Sequence, residues 1–141
     1  MVQKLTLPND IETIPQMSEF VEMACEEAGF DISTTMSLNL AIEEAVVNVM
    51  SYAYPEGERG YVDIEVSAEN GGITFRIIDS GKPFDPTSQG EVDTTLSAEQ
   101  RSIGGLGIHL VRSIMDSVTY QRDADMNILT LQKLLPKDSE L

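Results

Sequence analysis

The chain predicts an α+β fold: a two-layer α/β sandwich, a mainly antiparallel sheet with helices packed on one face. Three observations carry this. Residues Ile11 to Ala28 and Ser33 to Ser51 place apolar side chains at helical spacing. Val62 to Ile77 alternates with a period of two around Asn70-Gly71, a strong hairpin signal. Val118 to Arg122 and Ile128 to Leu134 read as a closing hairpin around Asp123 to Asn127. Consecutive hairpins with helices inserted cover one face of a sheet. At 141 residues, with no internal repeat or interdomain linker, residues 1–141 are read as a single domain.

Taken in order, Lys4 to Leu7 is a short strand closed by Pro8-Asn9-Asp10. The first helix carries Ile14, Met17, Phe20, Val21 and Ala24 on one face, and Gly29 is its stop. Its other face is acidic, with Glu12, Glu19, Glu22, Glu26 and Glu27. The second helix is apolar on more than one side (Met36, Leu38, Leu40, Ile42, Val46, Val47, Val49, Met50), which predicts a central, largely buried position. Tyr54-Pro55-Glu56-Gly57 ends it. In the first hairpin Val62, Ile64 and Val66 point one way, Asp63 and Glu65 the other, and Ile73, Phe75 and Ile77 return. The stretch from Asp79 to Ile103 is poor in apolar residues and reads as a structureless, lid-like loop. It ends in Gly104-Gly105-Leu106-Gly107, before a helix carrying Ile108, Val111, Ile114 and Met115.

Composition removes several classes of function. There are 9 Lys+Arg against 24 Asp+Glu, a net charge of −15, which argues against nucleic-acid binding and against anionic membrane surfaces. The imbalance is concentrated: up to Glu58 there are eleven acidic residues and one basic residue, Lys4. A hydrophobic content of 41% is enough for a core, so the acidity does not mean disorder. No apolar run approaches the ~18–20 residues that span a bilayer, and the amino terminus has no apolar stretch suited to a signal peptide. The cytoplasm is the expected compartment. One cysteine, Cys25, and one histidine, His109, exclude an intrachain disulfide and the usual zinc site. Cys25 is expected to be a semi-buried thiol and His109 a structural helix residue.

Three clusters could carry chemistry. Glu44 and Asn48 are i, i+4 on the second helix and share one face. A carboxylate and a carboxamide on an apolar helix need partners, and a metal ion, a water or a phosphate would supply them. Asp79-Ser80-Gly81-Lys82-Pro83-Phe84-Asp85 follows a strand directly. A carboxylate there can accept from an exocyclic amine, and the absent side chain of Gly81 would let a flat ring approach the backbone. Gly104 to Gly107, before a helix, would expose backbone N–H groups and the positive end of the dipole to a phosphate. Each cluster alone also fits a plainer reading: a wet helix face, an ordinary Asp-x-Gly turn, a glycine-rich turn.

In this combination and order the chain resembles the GHKL ATPase superfamily, whose fold is the Bergerat or histidine-kinase-like ATPase fold. It is most similar to the small bacterial anti-sigma-factor serine/threonine kinases. Glu44 and Asn48 match their Glu-x-x-x-Asn motif; Asp79, Gly81 and Phe84 match Asp-x-Gly-x-x-Phe; Gly105 and Gly107 match Gly-x-Gly. The resemblance implies Glu44 as general base, Asn48 as Mg²⁺ ligand at the nucleotide, and Asp79 as the adenine reader. Gly81 would lie beside the ring, Phe84 would belong to the same pocket, and Gly105 and Gly107 would line the phosphates. It also implies an ATP lid at about 85–103, in which Arg101 is the only cation and a candidate phosphate contact. Relatives often carry a Gly-Thr pair at the start of the last strand, where the threonine serves the adenine end; this chain has Met126-Asn127.

The implied cofactors are ATP and Mg²⁺. The implied activity is transfer to a small antagonist (anti-anti-sigma-like) protein in a partner-switching circuit, with a sigma factor as a further partner and a homodimer as a common assembly. The alternative is an ATP-binding interaction switch in which the nucleotide sets a conformation without transfer.

Overall fold

The computed structural model describes residues 2–55, 57–69, 71–88 and 105–135. Strand β1 (Val2–Pro8) leads through a 3-10 turn at Ile11–Thr13 into helices α1 (Ile14–Ala28) and α2 (Ile32–Tyr52). Strands β2 (Tyr61–Glu69) and β3 (Gly72–Asp79) follow, then a second 3-10 turn at Pro86–Ser88. Helix α3 (Gly105–Ile114) and strands β4 (Ser117–Asp123) and β5 (Met126–Leu134) complete the described chain.

Each helix end has a local cause. The first helical segment is broken into a 3-10 turn and α1, where a single helix from Ile11 is expected. Pro15 has no N–H to return to the carbonyl of Ile11, so the α-helical ladder starts only at this point. Asp10 accepts from the N–H of Glu12 and caps the short turn instead. At the other end Gly29 adopts φ 98°, and the N–H of Phe30 returns to the Cys25 carbonyl, 3.1 Å, closing α1. Asp31 then starts α2 by accepting from the N–H of Thr34 at 2.7 Å.

The sheet order is β1-β2-β3-β5-β4, with every neighbouring pair antiparallel. Register stacks the inward side chains into rungs. Val66, Phe75 and Leu131 form one, and Ile64, Ile77 and Leu129 the next; all six are 3% exposed or less. Helices α1 and α2 pack on β2 and β3, and α3 packs on α2 and β4. Leu38, Ile42, Ala45, Val46 and Val49 of α2 fill the space between the layers. Helix α2 is central as expected, yet its amino-terminal half is not wrapped on all sides: Met36 is 67% and Leu40 44% exposed. Among the described residues no helix is long and apolar enough to cross a membrane.

The β4–β5 hairpin is closed by two residues between the paired Asp123 and Met126. Ala124 and Asp125 have φ 51° and 68°, the signature of a type I′ turn. Asp tolerates that region; Ala does not, because its Cβ crowds the carbonyl oxygen. Replacement Ala124→Asn is expected to stabilise the protein by about 0.5–1 kcal/mol. Urea denaturation measures it, and a neutral or destabilising outcome would contradict the turn geometry.

Candidate functional site

Asp79 is the last residue of β3, opposite Val62 on one side and Asn127 on the other. The inner rungs before it are apolar; here two polar residues, each 3% exposed, face the helices instead. Asp79 Oδ1 accepts from the N–H of Gly81 and from Asn127 Nδ2, both at 2.9 Å. Asp79 Oδ2 is buried with no partner. Burial pushes the carboxyl pKa up, opposed by the bonds from Asn127 and Gly81 and by the Arg122 charge. An unpartnered buried acceptor is costly, on the order of 1–3 kcal/mol, unless something donates to it. The donor set fits a ligand amine, because an acceptor is what an exocyclic N–H requires.

The segment after Asp79 is locked against the end of α2. Lys82 N–H donates to the Ala53 carbonyl at 2.8 Å. A Cβ on Gly81 would stand 2.2 Å from that same oxygen, so the close approach that demands glycine here is to protein backbone. Tyr54, 5% exposed, accepts from the N–H of Ser80 at 3.1 Å and donates to the Tyr61 carbonyl at 2.7 Å. Tyr52 and Phe84 bring their rings to 5.7 Å at 39°. Because Tyr52 lies four residues beyond Asn48, and Asn48 four beyond Glu44, this contact turns the Glu44–Asn48 face toward the segment after β3. Both residues are half-buried. Phe84 of the second motif thus meets α2 one turn beyond Asn48 of the first.

Helix α3 begins at Gly105, so Gly105 and Gly107 form its first turn, where a turn ahead of the helix is expected. The leading N–H groups of a helix have no intrahelical acceptor, so the donors are retained in this arrangement. Arg112 of α3 donates to the Thr87 carbonyl at 2.7 Å, tying this helix to the 3-10 turn after β3. That turn corrects the structureless reading of 79–103: Asp85 Oδ1 accepts from the N–H of Thr87 at 2.8 Å and from its hydroxyl, which folds the chain locally. Residues 89–104 lie outside the described residues, and with them Arg101, Gly104 and most of the expected lid. His109 lies part-buried within α3. Cys25 is fully buried rather than semi-buried, and burial, with Glu22 and Glu26 nearby, pushes its thiol pKa up to about 12. It stays protonated at neutral pH.

Among the described residues no three His, Cys, Asp or Glu side chains gather to hold a metal ion. The donor chemistry suits Mg²⁺ only in the mode where one or two protein oxygens are completed by phosphates and water. Asn48 offers a carboxamide oxygen of that kind on the face it shares with Glu44. A cleft of about 780 Å³, lined by Asn9, Asp10, Met50, Tyr54, Glu58 and Tyr61 among others, shares Tyr54 with this region but contains neither Glu44, Asn48 nor Asp79. Four contributors escaped the sequence reading: Tyr52, Tyr54, Arg122, and Tyr120, whose hydroxyl donates to Asn127 Oδ1. The hairpin register could have found Arg122, which pairs with Asn127, and the aromatic pair Tyr52 and Tyr54 at the end of a buried helix was a visible signal.

A family model described as Histidine kinase-like ATPase domain matches residues 7–133. The Serine-protein kinase RsbW of Listeria monocytogenes is 26% identical, aligned over 99% of this chain and 93% of the relative. The Serine/threonine-protein kinase BtrW of Bordetella bronchiseptica is 30% identical over 67% of each chain. Among solved structures, the RsbU and RsbW domains of a Mycobacterium tuberculosis protein superpose with a TM-score of 0.67 at 18% identity, covering 96% of this chain and 32% of that one. A blue-light activated histidine kinase of Erythrobacter litoralis gives 0.60 at 14% identity, covering 90% and 43%. The two structures bear on the fold, which they share with this α+β arrangement.

Two variants test the geometry. Because the folded-state pKa of Asp79 is raised, its burial is tolerated best at low pH, and stability is lost as pH rises through that pKa. Asp79→Asn removes the charge, so its melting temperature is expected to match wild type near pH 4 and to exceed it at neutral pH. A variant less stable than wild type at neutral pH would contradict an unpartnered carboxylate. Gly81→Ala is expected to cost about 1–3 kcal/mol through the clash with Ala53, read by urea denaturation.

Proposed function

The chain belongs to the histidine kinase-like ATPase domain family, and on that premise we propose that it is a Mg²⁺- and ATP-dependent serine/threonine protein kinase of the anti-sigma-factor type. The observation that carries this is Asp79: a buried carboxylate at a strand end, with one oxygen satisfied and one awaiting a donor. Glu44 and Asn48 lie one turn apart on α2, and α3, which packs on α2, begins at Gly105. The relatives named as serine-protein kinases support the reaction class.

In this proposal Asp79 accepts from the adenine amine, with Gly81 and Phe84 shaping that end of the pocket. Asn48 presents its carboxamide oxygen to Mg²⁺, and the first turn of α3, Gly105 and Gly107, directs backbone N–H groups at the phosphates. Arg101 adds a cation from the lid at about 85–103. Glu44 takes the proton from the acceptor hydroxyl of the protein substrate as that oxygen bonds the γ-phosphorus, the bond to the β-phosphate oxygen breaks and ADP leaves. Bound Mg²⁺ supplies charge neutralisation at the phosphates, which is the main requirement of phosphoryl transfer. The partner is a small antagonist protein carrying the acceptor Ser or Thr. A sigma factor is the further partner in the switch, a homodimer the working assembly, and the cytoplasm the compartment.

Incubation with labelled ATP, Mg²⁺ and candidate antagonist proteins from the same cell tests the proposal. A labelled partner is expected. ATP binding with no partner labelled would leave the conformational-switch reading in its place. Glu44→Ala is expected to keep ATP binding and lower transfer by roughly 10²–10⁴-fold; unchanged transfer removes Glu44 as the base. Asn48→Ala is expected to weaken Mg²⁺-dependent ATP binding, and an unaltered Mg²⁺ requirement counts against the pocket.

A further inference from the structure

The amide of Asn127 is fully used within the protein. Its two N–H bonds go to Asp79 Oδ1 at 2.9 Å and to the Lys82 carbonyl at 2.8 Å. Its carbonyl oxygen accepts from the N–H of Phe84 at 3.1 Å and from the hydroxyl of Tyr120. Two donors and two lone pairs are all that an asparagine offers, so nothing remains for a ligand. Asp79 is the converse, with two bonds on Oδ1 and none on Oδ2. Arg122, paired with Asn127 in the β4–β5 ladder, donates to the Gly81 carbonyl at 2.9 Å. One hairpin therefore holds the 79–84 segment at four places.

From this geometry we propose that Asn127, oriented by Tyr120, is a positioning residue for base recognition: it fixes Asp79 so that Oδ2 alone reads the base, selecting one that presents an exocyclic amine there. The inference rests on the nucleotide reading given above. A carboxylate free to rotate could offer either oxygen; one whose Oδ1 is held by two donors cannot. A carboxylate accepts at both oxygens, so with Oδ1 filled a donor can be taken only at Oδ2. A purine with a carbonyl at that position sets lone pair against lone pair, whereas an amine completes the unpartnered oxygen.

The test is calorimetric titration of the full chain, with Mg²⁺, using ATP, inosine triphosphate and 1-deaza-ATP, beside the melting temperature of each variant. Wild type is expected to prefer ATP over inosine triphosphate by at least roughly tenfold. Asn127→Ser is expected to lose roughly tenfold in ATP affinity and to compress that preference to within about threefold. The loss should be the same for ATP and for 1-deaza-ATP, since Asn127 does not touch the ring. An ATP-to-inosine preference that survives Asn127→Ser, whatever the change in melting temperature, makes Asn127 merely structural and overturns the proposal. A loss confined to ATP and absent for 1-deaza-ATP places Asn127 on the ring edge and overturns it equally. If Asn127→Ser does not fold, Tyr120→Phe carries the test, with the preference expected to narrow by about two- to fivefold; an unchanged preference overturns the proposal. Wild type that binds no nucleotide overturns the ATP reading itself, and this inference with it.

Discussion

Between β3 and β5 the inward rungs run apolar, apolar, then polar, and the last is Asp79 beside Asn127. Two polar residues at the end of a packed sheet face are tolerable only because each satisfies the other in part. Asn127 donates to Asp79, and through its remaining bonds reaches the Lys82 carbonyl, the Phe84 N–H and the Tyr120 hydroxyl. The chain leaving β3 has no ladder partner after Asp79, and this amide takes over that role. Without it the 79–84 segment would have to find acceptors and donors elsewhere. The contact between Phe84 and Tyr52, which aligns the α2 face with the strand end, would then lose its anchor.

The scaffold is rigid where it needs to be. The site rung continues sheet rungs whose side chains are almost wholly buried, so Asp79 and Asn127 inherit the precision of the core. The helix side is fixed at a second point, where the Ala53 carbonyl meets the N–H of Lys82 and excludes any Cβ from Gly81. Sites built on regular elements hold their geometry better than sites on loops. Here the loop after β3 is held to both layers at once. The acidity of the chain has its counterpart in this design. With a net charge of −15, the proposed binding of an anionic nucleotide would draw on local dipoles and a metal rather than on the overall field. In that proposal the start of α3 supplies the dipole and the Asn48 oxygen the metal contact.

Most of the framework was legible in the sequence because periodicity follows from the geometry of helices and strands. The two long helices and both hairpins lie where the spacing of Met17, Val21, Ile42, Val46, Ile64 and Phe75 puts them. Pro15 displaced the first helix start, since a missing N–H is a backbone effect that side-chain periodicity does not register. Met36 and Leu40 fit an apolar pattern, yet point outward. Whether an apolar residue is covered depends on what neighbours arrive, and no single helix contains that information. The loop after β3 looked structureless because the Asp85 and Thr87 contacts that fold it are turn chemistry, invisible to hydrophobic spacing.

For the site, the sequence by itself determined which chemical groups are present and in what order: Glu44 and Asn48 one turn apart, Asp79 at a strand end, glycines at a helix start. These are local facts, set by residue type and by repeats of 3.6 and 2. Only the tertiary structure decided that Asp79 keeps one oxygen unpartnered and that Asn127, 48 residues away in the chain, satisfies the other. It also decided that Gly81 is required by Ala53 before any ligand is considered. The physical reason is that a hydrogen bond or a steric limit belongs to a pair of atoms, and only strand register and the packing of α2 on the sheet bring those pairs together.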